Sequence, residues 1–202
     1  MDTLEIEKFI KKLKWKIHAK MYGCHHCSTI GFITSEWLKR SVHNEVFDGA
    51  PKIDAKKGRH HADLLMRQDG KYMVVGEVES DVSNYKDKTR TILDYLGAGQ
   101  YGSLKFGILV MMNCHNDGKK VFDHLWEKKN PAEWDRLVEI IKKGVGKTKK
   151  AFAIVSIKRG KERDELLKKN QYYSGNAVSI DYRIFDKKQP LKGNLWRIEK
   201  HC

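Results

Sequence analysis

Apolar residues Ile6, Phe9, Ile10, Leu13 and Ile17 recur at three- and four-residue intervals among lysines and glutamates. That spacing predicts an amphipathic helix at the start of the chain. Thr34 or Ser35 is suited to cap a second helix running through Glu36, Trp37, Leu38 and Val42, with Glu36 in its first turn. Residues 48–58, broken by Gly49-Ala50-Pro51, read as an irregular connection.

Two extended runs follow, 62–67 and 71–79, separated by Gln68-Asp69-Gly70. Asp-Gly between such runs is a strong hairpin signal. A helix is expected from Ser83 or Asn84 through Tyr85, Thr89, Ile92, Leu93 and Leu96 to Gly97. The continuous apolar run 106–112 has the character of a central strand buried on both faces. Residues 119–143 carry Val121, Leu125, Trp134, Leu137, Val138 and Ile141 at helical spacing, with Pro131 expected to end one helix and begin another. A strand at 151–158, a charged helix-like stretch at 162–169 and an alternating run at 178–185 complete the chain. This order predicts an α/β fold with a mixed central sheet flanked by helices.

Composition narrows the class. The chain has 202 residues, 40% apolar and 33% charged, which suits one globular domain. No apolar run approaches the ~20 residues of a membrane span. The opening MDTLEIEKF is too acidic for a secretion signal, so a soluble, cytoplasmic protein without membrane contact is expected. The formal net charge of +14 points to a phosphate-rich partner, nucleic acid above all.

The candidate chemistry lies at the predicted hairpin. Alternation places Met73, Val75, Glu77 and Glu79 on one face of the second strand and Val74, Gly76 and Val78 on the other. The hairpin returns Asp63 alongside, so three carboxylates are expected near one strand end. Like charges gathered there call for protons or cations, and ligands made only of oxygen suit Mg²⁺ or Mn²⁺.

Asp63, thirteen further residues and then Glu77-Val78-Glu79 resemble the signature of the PD-(D/E)xK nuclease superfamily, the restriction-endonuclease-like fold. The resemblance spans residues 36–158. Ala62 stands where the family frequently has proline, and Glu79 where lysine is usual, although some restriction enzymes of the superfamily carry glutamate there. It implies a single nuclease-like domain over 1–202 with its core at about 36–158. Residues 1–35 would be an N-terminal helical extension containing the Cys-His-His-Cys segment, and 159–202 a C-terminal extension. The activity implied is Mg²⁺-dependent hydrolysis of DNA phosphodiester bonds, restriction-like or junction-resolving. Asp63 and Glu77 would hold the metal, and Glu79 would assist or act as general base. Lys86 or Lys88 would supply the displaced positive charge. Glu36 or Glu45 is placed to add a carboxylate, and Arg59, His60 and Arg90 are candidate DNA contacts. A homodimer would match two antiparallel strands. A nucleic-acid-binding protein that keeps the fold without turnover is the alternative.

Cys24-His25-His26-Cys27 has the spacing of half a Zn²⁺ site, with Cys114, His115, His124, His201 or Cys202 available to complete it. A structural zinc, reduced thiols and redox chemistry all fit that spacing. The GxGxxG of Gly97 to Gly102 follows a helix instead of a strand, the reverse of dinucleotide-binding order, and the Gly-Lys-Thr near Gly146 reads as a helix end. Trp15, Tyr22, Trp37, Trp126 and Trp134 read as packing residues, whereas Trp196 and Arg197 lie in a basic stretch suited to nucleic acid.

Overall fold

The computed structural model describes residues 3–12, 16–19, 30, 33–35, 37–39, 41–48, 53–55, 58–79, 82–112, 131–158, 173–176, 179–187 and 197–200. Cys24, Cys27 and Glu36 lie outside them, as do Trp15, Tyr22, Trp126 and Trp196 and the helix-like stretches at 119–130 and 162–169. Three helices are described over their length: α1 (Thr3–Lys12), α2 (Tyr85–Gly97) and α3 (Pro131–Thr148). The strands are β1 (Lys16–Ala19), β2 (Asn44–Asp48), β3 (Ile53–Ala55), β4 (Gly58–His60), β5 (Leu64–Gln68), β6 (Lys71–Glu79), β7 (Phe106–Met112), β8 (Ala151–Lys158), β9 (Tyr173–Asn176), β10 (Ser179–Phe185) and β11 (Arg197–Lys200). No described helix is long and apolar enough to cross a membrane.

Seven strands form one mixed sheet in the order β11-β10-β8-β7-β6-β5-β2. The centre, β6-β7-β8, is parallel, and the flanking pairs are antiparallel. Parallel neighbours need crossover connections, and α2 and α3 occupy the two crossovers. Two successive crossovers in the same direction and of the usual right hand leave both helices on one face. There Tyr85, Ile92, Tyr95 and Leu96 of α2 and Trp134, Leu137, Ile141 and Val145 of α3 pack over Leu65, Val75, Leu109 and Ile154. The other face, formed by Leu64, Val74, Phe106, Val110 and Val155, is covered by Ile6, Phe9 and Ile10 of α1 together with Ile33 and Trp37. The central strands are therefore apolar on both sides, as the continuous runs predicted.

The hairpin forms as expected. Asp69 (φ 49°) and Gly70 (φ 72°) both adopt left-handed backbone, the conformation a tight two-residue turn requires. One register irregularity changes the expected faces: Met66 pairs with Val74 but Arg67 with Tyr72, leaving Met73 as the extra residue of a bulge. Met73 therefore packs with Val74 on the α1 side, not with Val75.

Several expectations are corrected. The opening helix stops at Lys12, and Ile17 lies in β1, which pairs with β9. The helix around Trp37 ends before Val42, a turn residue 95% exposed. Glu45 belongs to strand β2, because Asn44–Asp48 pairs along β5. The connection at 48–58 contributes to a short hairpin, β3 with β4. The helix expected to end at Lys143 continues to Thr148. The terminal segments also join the central structure: β10 and β11 extend the sheet, and Tyr182 on β10 donates a 2.6 Å hydrogen bond to the buried Glu7 of α1.

The α2–β7 crossing is unusually close. A Cβ on Gly107 would lie 2.1 Å from Ile92 Cγ2, an atom on the branch next to the backbone that cannot swing away. Gly107→Ala is expected to destabilise the fold by ~1–3 kcal/mol, read from the urea midpoint. Combining it with Ile92→Ala should cost less than the two single changes added together; strict additivity would show that the clash does not set this crossing.

Candidate active site

The carboxylates sit where the parallel strands end. Along β6 the residues facing α2 are Val75, Glu77 and Glu79, and the apolar character gives way to acid only in the last turn of the pleat. Because Leu64 pairs with Gly76, Asp63 stands beside Glu77 just before β5 begins. Its Oδ2 accepts a 2.8 Å hydrogen bond from the backbone N–H of Val78, so the carboxylate closes the ladder where backbone pairing stops. The preceding residue is held as well: Ala62 N–H donates to the hydroxyl of Tyr95 on α2 at 3.3 Å.

Glu77 is fully buried. Its Oε2 accepts a 2.7 Å hydrogen bond from Lys88 Nζ, which also lies 3.7 Å from Asp63 Oδ1. Lys88 reaches this position because it follows Tyr85 by three residues and precedes Ile92 by four, on the flank of the α2 face that packs on the sheet. Glu77 Oε1 receives no hydrogen-bond donor among the described residues. Burial, and then the neighbouring Asp63 carboxyl, push the Glu77 carboxyl up to about 9, against the opposing pull of Lys88. Burial lowers the affinity of Lys88 for its proton, but Glu77, Asp63 and Glu79 outweigh it and the ammonium is held above its ordinary value.

Glu79 is nearly buried and accepts a 3.3 Å hydrogen bond from the side-chain amide of Asn84. Asn84 precedes α2 and reads from sequence as a helix cap, yet its side chain makes no capping bond and is directed to the acidic strand end. Asn84 and Tyr95 are the supporting residues that sequence patterns missed, because each imitates an ordinary role, a cap and a core aromatic.

The remaining candidates are dispersed. Lys86 is bound to Glu133 of α3 at 2.7 Å, a half-buried bridge between the helices. Arg90 pairs with Asp87 on the exposed side of α2. Glu45 pairs with Arg67 at 2.5 Å, on the edge strand. Arg59 and His60 lie on β4, of which only the backbone is described. Among the described residues, no three His, Cys, Asp or Glu side chains are grouped so as to hold a metal ion. Asp63, Glu77 and Lys88 are the set brought into mutual contact, with Glu79 beyond.

No family model, curated protein or solved structure matches this chain.

The position of Glu77 has a consequence for stability. Its folded-state value lies above the ordinary 4.5, so the native state keeps a proton that the unfolded chain releases. This contribution is fully present below about pH 4.5 and is lost as pH rises toward 9. Without divalent cations, raising the pH from 6 to 9 should lower the melting temperature of the wild type more than that of Glu77→Gln, by at least ~3 °C. Equal pH dependence in scanning calorimetry would show that Glu77 is ionised in the native protein.

Proposed function

We propose that this chain is a Mg²⁺- or Mn²⁺-dependent endodeoxyribonuclease with a restriction-endonuclease-like core of the PD-(D/E)xK type. The observation that carries the reading is the Glu77 carboxyl: buried, beside Asp63, with Lys88 on one oxygen and no donor on the other among the described residues. The hairpin, the helix α2 after it and the next strand β7 follow in the order on which the resemblance rests.

The residues fit a hard divalent cation. Magnesium is commonly held by one or two carboxylates, with waters and substrate phosphate completing its shell, so three protein ligands are not required. Asp63 and Glu77 would hold it, and the orphaned Glu77 oxygen is the kind of atom such an ion satisfies. When bound, the ion would supply neutralisation of the phosphate and acidification of a nearby water. Glu77 must give up its proton to serve. Lys88 is placed to stabilise the charge that develops on the phosphoryl oxygens as the phosphorus–oxygen bond to the leaving group breaks. Glu79, oriented by Asn84, would accept the proton of the attacking water. DNA as substrate rests on the formal charge of +14, and a two-fold dimer would place one site on each antiparallel strand.

One observation favours a second reading, a nucleic-acid-binding protein without turnover: Lys88 already compensates Glu77 and Asp63 from within the chain. Plasmid cleavage with Mg²⁺ or Mn²⁺ decides. Asp63→Asn, Glu77→Gln and Lys88→Met should each lower the rate by ~100-fold or more, whereas Lys86→Met should remain within a few-fold of wild type. Undiminished cleavage in both carboxylate variants overturns the site. Wild-type protein that binds DNA but leaves it intact with either metal establishes the second reading.

A further inference from the structure

The opposite end of the parallel strands is predominantly basic, although Asp69 in the hairpin turn and Asp186 just after β10 also lie there. Lys105 immediately precedes β7, Lys149 and Lys150 immediately precede β8, and Lys147 sits in the last turn of α3. Phe106 pairs with Ala151, which puts Lys105 and Lys150 next to one another across the two strands. Burial and then the charge of Lys105 hold the Lys150 ammonium below its ordinary value, while its Nζ donates to the Tyr101 carbonyl at 3.2 Å. Lys105, Lys147 and Lys149 are exposed. From Lys142 to Lys150 the sequence carries five lysines and no carboxylate.

Helix ends account for part of this. α2 and α3 both finish here, with Gly97 close to Thr148, and cations near helix C-termini are favoured. Lys105, however, starts a strand, and two ammonium groups brought together across β7 and β8 gain nothing from one another. An anion from outside would relieve that repulsion. The exposed large apolar side chains among the described residues are Leu4, Leu38 and Val42, on α1, the helical turn after Trp37 and the loop before β2. Val42 stands at this same end of the sheet, since Asn44 pairs with Gln68 and Gln68 with Lys71, but it lies by β2, three strands from Lys105. One valine that far from the lysines, with no exposed aromatic among the described residues, is a poor anchor for a lipid surface, and a phosphate backbone is the better match.

We propose that the edge formed by Lys105, Lys147, Lys149 and Lys150 is a second nucleic-acid contact. It holds a phosphate backbone at the end of the sheet away from Asp63 and Glu77. It rests on the nucleic-acid partner of the proposed function but is independent of turnover. The row of Lys105 lies about 13 Å along β7 from Leu109, the partner of Glu77, at ~3.3 Å per residue. The two ends face in opposite directions, so the edge would engage a segment of backbone other than the one being cut.

The test uses the full chain, a labelled DNA duplex and fluorescence anisotropy without divalent cations between about 50 and 200 mM salt. Each phosphate contact contributes ~0.9 to the slope of log affinity against log salt. The triple variant Lys105→Gln, Lys147→Gln, Lys149→Gln should therefore lower that slope by about 2–3, and the corresponding triple arginine variant should restore it. If the glutamine variant fails to give a native melt, Lys105→Gln alone should lower the slope by about 1. An unchanged slope overturns the proposal. So does a glutamine variant that loses binding to phosphatidylserine vesicles while its DNA slope is unaltered. A reduced slope in a protein that never cleaves DNA would leave the edge standing and remove the nuclease reading; an unchanged slope with metal-dependent cleavage would do the opposite.

Discussion

A carboxyl group with no access to water, set at the end of an apolar strand, is the constraint around which the rest of the site is arranged. Burying Glu77 as an ion without compensation would be prohibitive, and a buried acid keeps its place only by retaining a proton or finding a partner. The chain supplies both, from three consecutive elements. The start of β5 brings Asp63 to one side, and α2 delivers Lys88 to the other. Each of these has its own anchor. Asp63 is tied to Val78 N–H, Ala62 to the Tyr95 hydroxyl, and α2 lies close on β7 because Gly107 leaves room for Ile92. The acidic strand end is thus held by backbone and hydroxyl hydrogen bonds and by apolar packing as well as by Lys88.

That division explains what could be read from the sequence. The runs Phe106–Met112 and Ala151–Lys158 were legible because a strand buried on both faces has no alternative to continuous apolar residues. The hairpin was legible because Asp69-Gly70 encodes its turn locally. Strand β2 was not. Asn44–Asp48 carries only Val46 and Phe47 as apolar residues, and its strand state comes from pairing with β5, a non-local choice. The face of Met73 was misassigned for a related reason, since strict alternation holds only while register is unbroken and a bulge intervenes. The place of β10 in the sheet depends on antiparallel pairing to β8 across a chain reversal, which no local pattern records.

Among the site residues, Asp63, Glu77 and Glu79 followed from strand periodicity and the hairpin. The choice between Lys86 and Lys88 was open in the sequence, although helical geometry contains the answer. Tyr85, Thr89, Ile92 and Leu96 mark the face of α2 turned to the sheet, and Lys88 lies beside that face. Lys86 is rotated by two residues and meets α3 through Glu133. Glu36, Cys24 and Cys27 lie outside the described residues, so the zinc spacing and the further carboxylate remain readings of sequence.

On the proposed nuclease reading, moving the positive charge from the strand to the helix has an electrostatic consequence. A lysine at position 79 would leave two carboxylates and one ammonium, a net charge of minus one. Glutamate at 79 with Lys88 opposite leaves three carboxylates and one ammonium, a net of minus two when all are ionised. That is the charge of one divalent cation with opposite sign. Burial first, and then the Asp63 carboxyl, favour the protonated form of Glu77. Cation binding and proton release at Glu77 are then two sides of one equilibrium. Lys88 need not leave, because its hydrogen bond occupies Glu77 Oε2, whereas the oxygen without a donor among the described residues is Oε1. On that reading the same ammonium would compensate the carboxylates and also stand beside the scissile phosphate, so a lysine on the helix would not oblige the chain to choose between stability and chemistry.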